Sequence, residues 1–234
     1  MSCPSASALE VRDLVCRRGP VALRATHAAF VPGVFHLLQG APDSGHELLL
    51  RVLGLLELPD AGDVLVEENS TRDLGDEARL KLRERRLGFV FAAPFLLPAF
   101  SVIENVAMPL FKISDVNPPE ARQRSEALLE FAGLLDLAQT PCAELAPLAQ
   151  HRAALARALV NDPAALLVEA LDSTLADVEL RVFAALLRQA AASFSIAVIA
   201  AASPRFVPDV ADRVIEVRDG AVLCRDELSP KSEA

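Results

Sequence analysis

A glycine loop is the part of this 234-residue chain whose residue types point most directly to chemistry. The apolar stretch VFHLLQ at 34–39 leads into GAPDSGHE at 40–47, and the amphipathic stretch LLLRVLGLL follows at once. This order predicts a buried strand, a loop and a helix, the arrangement in which backbone amides and a helix N-terminus bind phosphate. The candidate phosphate-contacting residues are Gly40, Ser44, Gly45, His46 and Glu47.

Three residues of this loop oppose the binding of an anion. Phosphate-binding loops carry a lysine where His46 stands and a magnesium-binding hydroxyl where Glu47 stands, and Asp43 takes the place of a glycine. Each change removes favourable charge or adds repulsion, at a cost on the order of 1 kcal/mol. Two interpretations stay open: a plain strand-to-helix turn, or a weakened nucleotide site.

The segments around the loop predict an α/β fold. Nearly continuous apolar runs at 34–39, 87–91, 164–168 and 194–201 are typical of parallel strands buried on both faces. Helical patterns are found at 46–57, 118–136, 150–161 and 175–192. In the last of these helices we expect Leu175, Val178, Val182 and Leu186 to face the core.

Other local patterns predict antiparallel strands, one helix start and one hairpin. Alternating segments at 8–14, 21–30 and 62–67 indicate antiparallel strands with one wet face. Asn117, followed by Pro118, is a good helix cap, and Asp219 with Gly220 predicts a hairpin turn.

Composition excludes several function classes. The chain has 23 Lys and Arg against 32 Asp and Glu, a net charge of −9 without a basic block, so we expect no nucleic-acid partner. No apolar run reaches the roughly 18 residues of a membrane-spanning helix. The four cysteines lack CxxC spacing, the four histidines are scattered, and the N-terminus shows no signal segment, so we predict a reduced, cytosolic protein without a metal site.

One loop is unusually apolar. The stretch APFLLPAF at 93–100 places large side chains where loops rarely expose them without a partner. The alternatives are a docking surface or burial within the chain. The candidate docking residues are Phe95, Leu96, Leu97, Pro98 and Phe100.

Taken in order, these segments resemble the ATPases of ATP-binding cassette (ABC) transporters, nearest to the LolD-like and MacB-like group. The matching strings are LEVRDL at 9–14, LLRVLGLLELPDAGDVLVE at 49–67, LGFVF at 87–91, LLPAFSVIENVAMPL at 96–110, ALARALVNDPA at 154–164 and ADRVIEVRDGAV at 211–222.

The resemblance implies the P-loop NTPase-type ABC ATPase fold. This fold has a mostly parallel central sheet, an N-terminal antiparallel β subdomain and a helical subdomain. On this chain it implies a single nucleotide-binding-type domain over 1–227, with the helical subdomain at about 94–160 and a disordered tail at 228–234. It also implies a membrane permease docked near Phe100, a homodimer or a heterodimer with a related subunit, and a location on the inner face of the cell membrane.

Few of the family's functional positions keep their chemistry in this chain. Carried over one by one, the family's adenine-stacking aromatic corresponds to Arg18, its phosphate-loop lysine to His46 and the following hydroxyl to Glu47. Its glutamine corresponds to Ala92 and its LSGGQ signature to LAPLA (145–149). Its magnesium-linked aspartate corresponds to Glu169, its base to Ala170, the following loop's aspartate to Ala176 and its switch histidine to Ala202.

We therefore expect a degenerate nucleotide-binding subunit that lacks ATP hydrolysis, needs no cofactor and acts as a structural or regulatory partner of a permease. Two alternatives remain. The chain is a working ATPase that uses ATP and magnesium through replacements such as Glu169 and His46, or it is a free-standing interaction module.

Overall fold

The structure is a computed structural model that describes residues 7–113, 116–170, 172, 174–204 and 210–225. The tail expected at 228–234 lies outside this range. Within the described residues the chain forms ten strands, in order β1 Leu9–Arg18, β2 Val21–Phe30, β3 Phe35–Gln39, β4 Ala61–Val66, β5 Asn69–Ser70, β6 Leu87–Val90, β7 Ala165–Val168, β8 Ala197–Ala202, β9 Arg213–Arg218 and β10 Ala221–Arg225.

Six α-helices connect these strands. They are α1 His46–Leu53, α2 Asp76–Arg86, α3 Val102–Ile113, α4 Pro118–Phe131, α5 Pro147–Leu159 and α6 Asp177–Phe194. Two short 3₁₀ helices, Leu135–Leu137 and Cys142–Glu144, lie between α4 and α5. None of the described helices is long and apolar enough to cross a membrane.

The strands form two sheets. The larger has the order β10-β9-β3-β8-β7-β6, with parallel pairing from β9 to β6 and antiparallel pairing of β10 on β9. The smaller is antiparallel, with the order β2-β1-β4-β5. The predicted α/β class, with a mostly parallel sheet and an N-terminal antiparallel sheet, is confirmed.

Two apolar cores lie on opposite faces of the larger sheet. One packs α3, α4, α5 and α6 against Leu37, Leu166 and Val198. The other packs α1 and the smaller sheet against Leu38, Leu167 and Ile199. Neighbouring residues of each strand therefore serve different cores, which explains the nearly continuous apolar runs of these strands.

Most predicted elements are present with shifted ends. The Asn117 cap is confirmed, since its Oδ1 accepts a hydrogen bond of 3.0 Å from the Glu120 amide. The hairpin at Asp219 and Gly220 is also confirmed, with both residues at positive φ. The fourth apolar run, 194–201, is only partly a strand, because α6 continues to Phe194 and β8 begins at Ala197.

Two of the four residues expected in the core stripe of α6 are misassigned, whereas Leu175 is buried and Leu186 packs against the core. Val178 is 76% exposed and Val182 is 41% exposed, whereas Leu180, Phe183 and Leu187 are buried. Alanines at 184, 190 and 191 complete the buried face of α6, so this face combines small and large residues.

Candidate functional site

Four loops meet where parallel strands of the larger sheet end. They follow β3, β6, β7 and β8, whose pairings place Gln39 beside Ala202 and Val90 beside Val168. In open parallel sheets, ligands bind outside the carboxyl ends of the strands. The candidate residues 40–47 and Glu169 lie at this edge, whereas Arg18 belongs to β1 and the LAPLA segment at 145–149 leads into α5.

The loop after β3 has the expected strand, loop and helix layout. The side chain of Ser44 is buried, Asp43 adopts φ 64°, and Gly45 adopts φ 102° immediately before α1. The Ser44 amide donates to the carbonyl of Ala41 over 3.0 Å, so this amide is used inside the loop. Glu47 lies in the first turn of α1, where a carboxylate interacts favourably with the helix dipole.

The interior of the loop contains the chain's own side chains. Ser44 Oγ lies 3.0 Å from His46 Nδ1, and both residues are buried. A Cβ atom added to Gly40 would lie 2.1 Å from Ser44 Oγ and 2.9 Å from His46 Nδ1, so both groups pack directly on this glycine. The imidazole at the lysine position is therefore directed into the loop.

Electrostatics at the loop do not favour an added anion. Burial lowers the pKa of His46, with Glu47 and Asp172 opposing the shift, so the ring is neutral at physiological pH. A cavity of about 530 Å³ beside Gly40 and Ser44 has a charged rim. The charged residues lining it are Asp43, Glu216, Asp219 and Arg218.

Glu169 is the one carboxylate kept at the catalytic positions after β7. Burial raises its pKa; Arg51 and a hydrogen bond with the Ala92 backbone lower it, while Glu47 raises it further. Glu169 and Glu47 are thus close enough to repel each other. The next residue, Ala170, has a positive φ of 39° and a side chain without acid–base chemistry.

The loops at this edge are joined by contacts that sequence reasoning missed. His151 Nδ1 lies 2.9 Å from the Pro147 carbonyl, and its Nε2 lies 3.0 Å from Thr174 Oγ1 and 3.3 Å from the Ala92 carbonyl. The carboxylate of Asp172 accepts bonds from the amide and hydroxyl of Ser203. Apart from the contact of His151 with Pro147 inside α5, these polar pairs join separate segments, so no local spacing pattern could have identified them.

Arg18 does not join the site. Its guanidinium forms ion pairs with Glu57 at 3.0 Å and Asp60 at 3.1 Å, on the side of the smaller sheet. The replacement for the adenine-stacking aromatic therefore has local structural partners.

The apolar stretch of the loop after β6 forms a second candidate site. Phe95 is 69% exposed, Phe100 45% and Leu97 40%, so burial within the chain does not account for them. Pro98 is also exposed, whereas Leu96 is half-buried and packs against the core.

A groove of about 380 Å³ continues from Phe100 along α3. Met108 and Phe111 line it, and both are exposed, at 38% and 58%. Sequence reasoning did not select these two residues as docking residues. The available signal was the helical spacing of Glu104, Met108 and Phe111 on one face of α3.

Solved structures with the same fold are ATP-binding cassettes. A dimeric structure of the ATP-binding cassette MJ0796 in a post-hydrolysis state, bound to ADP and Pi, has a TM-score of 0.79 at 25% identity and covers 95% of this chain and 99% of that chain. CbiO1 from Clostridium perfringens, at 23% identity and a TM-score of 0.85 over 94% of this chain and 88% of that chain, shares the fold.

The curated relatives are named as ATP-binding proteins. The chain is 42% identical over 147 residues to the lipoprotein-releasing system ATP-binding protein LolD of Maricaulis maris, a match that spans 63% of this chain and 64% of the relative. It is 34% identical to LolD of Hyphomonas neptunium over 86% of this chain and 88% of the relative. The macrolide export ATP-binding/permease protein MacB of Syntrophobacter fumaroxidans is 34% identical over 86% of this chain and 28% of the relative.

These relatives overturn one expectation. Since they are named ATP-binding proteins and MJ0796 is seen with ADP and Pi, the prediction that the chain needs no cofactor is wrong. ATP with magnesium is the cofactor of this kind of domain. Ser44 Oγ and His46 Nδ1 pack against Gly40, and Glu47 adds a carboxylate, so no side chain of the loop offers a positive charge to a triphosphate.

The family itself is shown by two findings. The family model described as ABC transporter matches residues 23–172, well over half of the chain. LolD of Hyphomonas neptunium matches over most of both chains, at 34% identity. The chain belongs to the ABC transporter family, as an ATP-binding subunit of the LolD/MacB group.

Proposed function

We propose that this chain is a nucleotide-binding subunit that binds ATP weakly, does not hydrolyse it, and acts as a structural or regulatory partner of a membrane permease. The observation that carries the proposal is the contrast between its two sites. The catalytic positions have lost their chemistry, and the loop interior is filled by Ser44 and His46. The apolar loop keeps its large side chains, and Phe95, Leu97 and Phe100 are exposed.

Loss of hydrolysis is argued from the parts that phosphoryl transfer needs. The reaction requires a positioned base and neutralisation of the phosphate charge by lysine and metal. Ala170 has no base, neutral His46 replaces the lysine, and Glu47 places a carboxylate where the magnesium hydroxyl belongs. No catalytic step can therefore be assigned to residues of this chain.

The permease is proposed as the partner on two grounds. Phe95, Leu97 and Phe100 are exposed, and Phe100 also lines the groove along α3. Exposed apolar side chains grouped in this way mark interfaces. MacB is named as a combined ATP-binding and permease protein, and the chain matches only 28% of its length. An apolar segment of a separate permease chain would occupy this surface.

Further proposals concern organisation. We propose one nucleotide-binding-type domain over 1–227 with a helical subdomain at about 94–160, since α3, α4 and α5 pack together on one face of the larger sheet. The subunit would work as a homodimer, or as a heterodimer with a related subunit, on the cytoplasmic face of the membrane. The dimeric structure of MJ0796 supports the dimer.

A titration with Mg-ATP and an assay of phosphate release test the nucleotide half of the proposal. At a concentration equal to its dissociation constant, a ligand stabilises a protein by only about 0.4 kcal/mol. We expect a dissociation constant in the millimolar range and phosphate release equal to a protein-free control. Turnover above that control would instead support a working ATPase that uses Glu169 and His46.

The substitution Phe100→Asp tests the docking half. Central contacts of an interface contribute about 2 kcal/mol or more, so we expect the variant to lose co-purification with a membrane protein. Val178→Asp on α6 is the matched control, because Val178 is also an exposed apolar residue and lies outside the groove. If no membrane protein is recovered with the unmodified chain after crosslinking, the result favours a free-standing interaction module over a partner of a permease.

A further inference from the structure

The docking loop at 94–101 is held by one buried amide. Asn105 of α3 is 1% exposed, and its Oδ1 accepts a bond of 2.7 Å from the Leu97 amide. Its Nδ2 lies 3.1 Å from the carbonyl of Leu97, 3.0 Å from that of Ser101 and 3.3 Å from that of Phe100. One side chain therefore fixes the backbone of the loop on both sides of its apolar tip.

A second side chain holds the start of the loop. The guanidinium of Arg157, on α5, donates to the Phe95 carbonyl over 2.8 Å and to the Pro94 carbonyl over 2.7 Å. Arginine offers several donors in a rigid planar fork, so it can hold two successive carbonyls in one geometry. Helices α3 and α5 thus define the path of a segment that has no regular structure of its own.

Phe95 lies in this segment in a strained conformation. Its φ is 47°, in the left-handed region that a bulky side chain rarely adopts. The ring is nevertheless 69% exposed, so little burial compensates for the strain. Strain that persists in a well-held exposed residue is typical of functional positions.

The ring of Phe95 is also oriented by its neighbours. It meets Phe91 edge-on with centroids 5.7 Å apart, and Phe91 stacks on Phe89 with centroids 5.7 Å apart. Phe89 in turn packs against Gly54, where α1 ends, because a Cβ atom there would lie 2.7 Å from the Phe89 ring. A row of aromatic rings therefore fixes the direction of the exposed side chain.

We propose that Asn105 and Arg157 are positioning residues that preform the docking loop and hold Phe95, in its strained conformation, as the anchor for an apolar segment of the permease. The assignment of the partner rests on the proposed function. A preformed loop binds without the cost of ordering itself, which raises affinity without any new contact.

Hydrogen exchange on the isolated chain tests the preformed loop without any partner. In Asn105→Leu, which places an apolar side chain of similar size at the buried position, we expect peptides covering 94–101 to exchange at least about tenfold faster. Arg157→Met should loosen 94–97. Peptides of α6 should be unchanged in both.

Asn117→Ala is the matched control for these variants. It removes one hydrogen bond that a backbone amide donates to an asparagine side chain at the start of α4, outside the loop. Exchange of 94–101 should keep its unmodified rate in this variant. An unchanged rate in Asn105→Leu, or an equal acceleration in Asn117→Ala, would overturn the positioning role.

A second pair of variants tests Phe95 as the anchor. Asparagine tolerates the left-handed region, so Phe95→Asn should leave the melting temperature unchanged or raise it by about 2–4 °C. Sedimentation with inside-out membrane vesicles from cells that naturally express the chain should weaken by about 30-fold, the equivalent of a hot-spot contact. Phe95→Leu keeps an apolar side chain and should retain most of the binding.

The outcomes separate the two proposals. A fall of the melting temperature of Phe95→Asn by more than 4 °C, or unchanged vesicle binding, would show that Phe95 serves folding and would overturn its role as the anchor. If the unmodified chain fails to bind the vesicles, or binds equally well to protein-free liposomes of the same lipids, the permease proposal fails. Faster loop exchange in Asn105→Leu would then still support the preformed loop.

Discussion

At the scale of single residues, a few side chains change what the loop after β3 can bind. A lysine at this position would offer a charge to phosphate, whereas the His46 ring pairs with Ser44 inside the loop. Glu47 interacts favourably with the dipole of α1 but repels an anion. The backbone layout is thus retained while the groups that would neutralise a ligand are gone.

Restoring two of these side chains should raise nucleotide affinity. We expect the double variant with His46→Lys and Glu47→Ser to bind Mg-ATP at least about tenfold more tightly, since each charge change contributes on the order of 1 kcal/mol. Isothermal titration measures the effect. Glu77→Ser removes the same charge from an exposed turn of α2 and should leave the affinity unchanged.

Glu169 should make stability depend on pH. Because burial raises its pKa in the folded chain, its contribution is fully present below the pKa of the unfolded chain and is lost as pH rises through the folded pKa. Glu169→Gln should therefore raise the melting temperature at pH 7 and change it little at pH 4. Glu130→Gln, on the exposed face of α4, should show no such difference; a gain that is equal at both pH values would contradict the prediction.

At the scale of elements, the sequence predicts best what depends on local pattern. The buried strands, the Asn117 cap and the hairpin at Asp219 follow from apolar runs and turn chemistry, and the structure has them. The α6 face was misassigned because Val178 and Val182 share a helical stripe with Leu175 while alanines form the real packing surface. Helix α2 gives no apolar periodicity, because none of its described residues is buried.

The candidate site was predictable only in part, for the same reason. The layout of the loop after β3 follows from residues that are close in sequence. The pairing of Ser44 with His46, the bonds from Ser203 to Asp172 and the contact of His151 with Thr174 depend on how side chains turn after folding. No spacing rule predicts such contacts between separate loops.

The hairpin of β9 and β10 secures the loop after β3, and one glycine makes this possible. The Gly220 amide donates to the Ser44 carbonyl over 2.9 Å, and the Gly220 carbonyl accepts from the Arg24 amide over 2.9 Å. A Cβ atom on Gly220 would lie 1.8 Å from the backbone oxygen of Ala22, which cannot move without shifting β2. The close approach therefore needs a residue without a side chain.

Gly220→Ala should consequently be far more destabilising than a second glycine substitution. Gly33 has the same φ of 78°, and no described atom lies within 4 Å of its added Cβ, so Gly33→Ala measures the backbone conformation alone, about 1–2 kcal/mol. We expect Gly220→Ala to cost at least about 2 kcal/mol more, as overpacking against backbone does. Urea unfolding of both variants measures the difference, and equal midpoints would contradict the close contact.

At the scale of the whole molecule, one fold carries two candidate sites that differ in which of their residues are replaced. The nucleotide edge is built by loops after four strands, and each carries a replacement. The docking surface is built by one loop and α3, and its apolar residues are exposed with their backbone held by Asn105. Both sites rest on two apolar cores, so the proposed loss of hydrolysis requires no loss of fold.

Because the catalytic parts act as one unit, a single reversion should not restore activity. Ala170→Glu returns a carboxylate to the position of the base, but His46, Glu47, Ala92 and the LAPLA segment at 145–149 still lack the groups that bind and neutralise the phosphates. Contributions of residues that work together are strongly non-additive, so we expect phosphate release by Ala170→Glu to remain at the level of a protein-free control. Adding His46→Lys and Glu47→Ser to this variant should improve ATP binding and still give no turnover, since the signature segment contributes no glycine amides. Steady phosphate release from Ala170→Glu alone would show that the chain keeps a working phosphate site, and the proposed loss of hydrolysis would then reduce to the loss of one base.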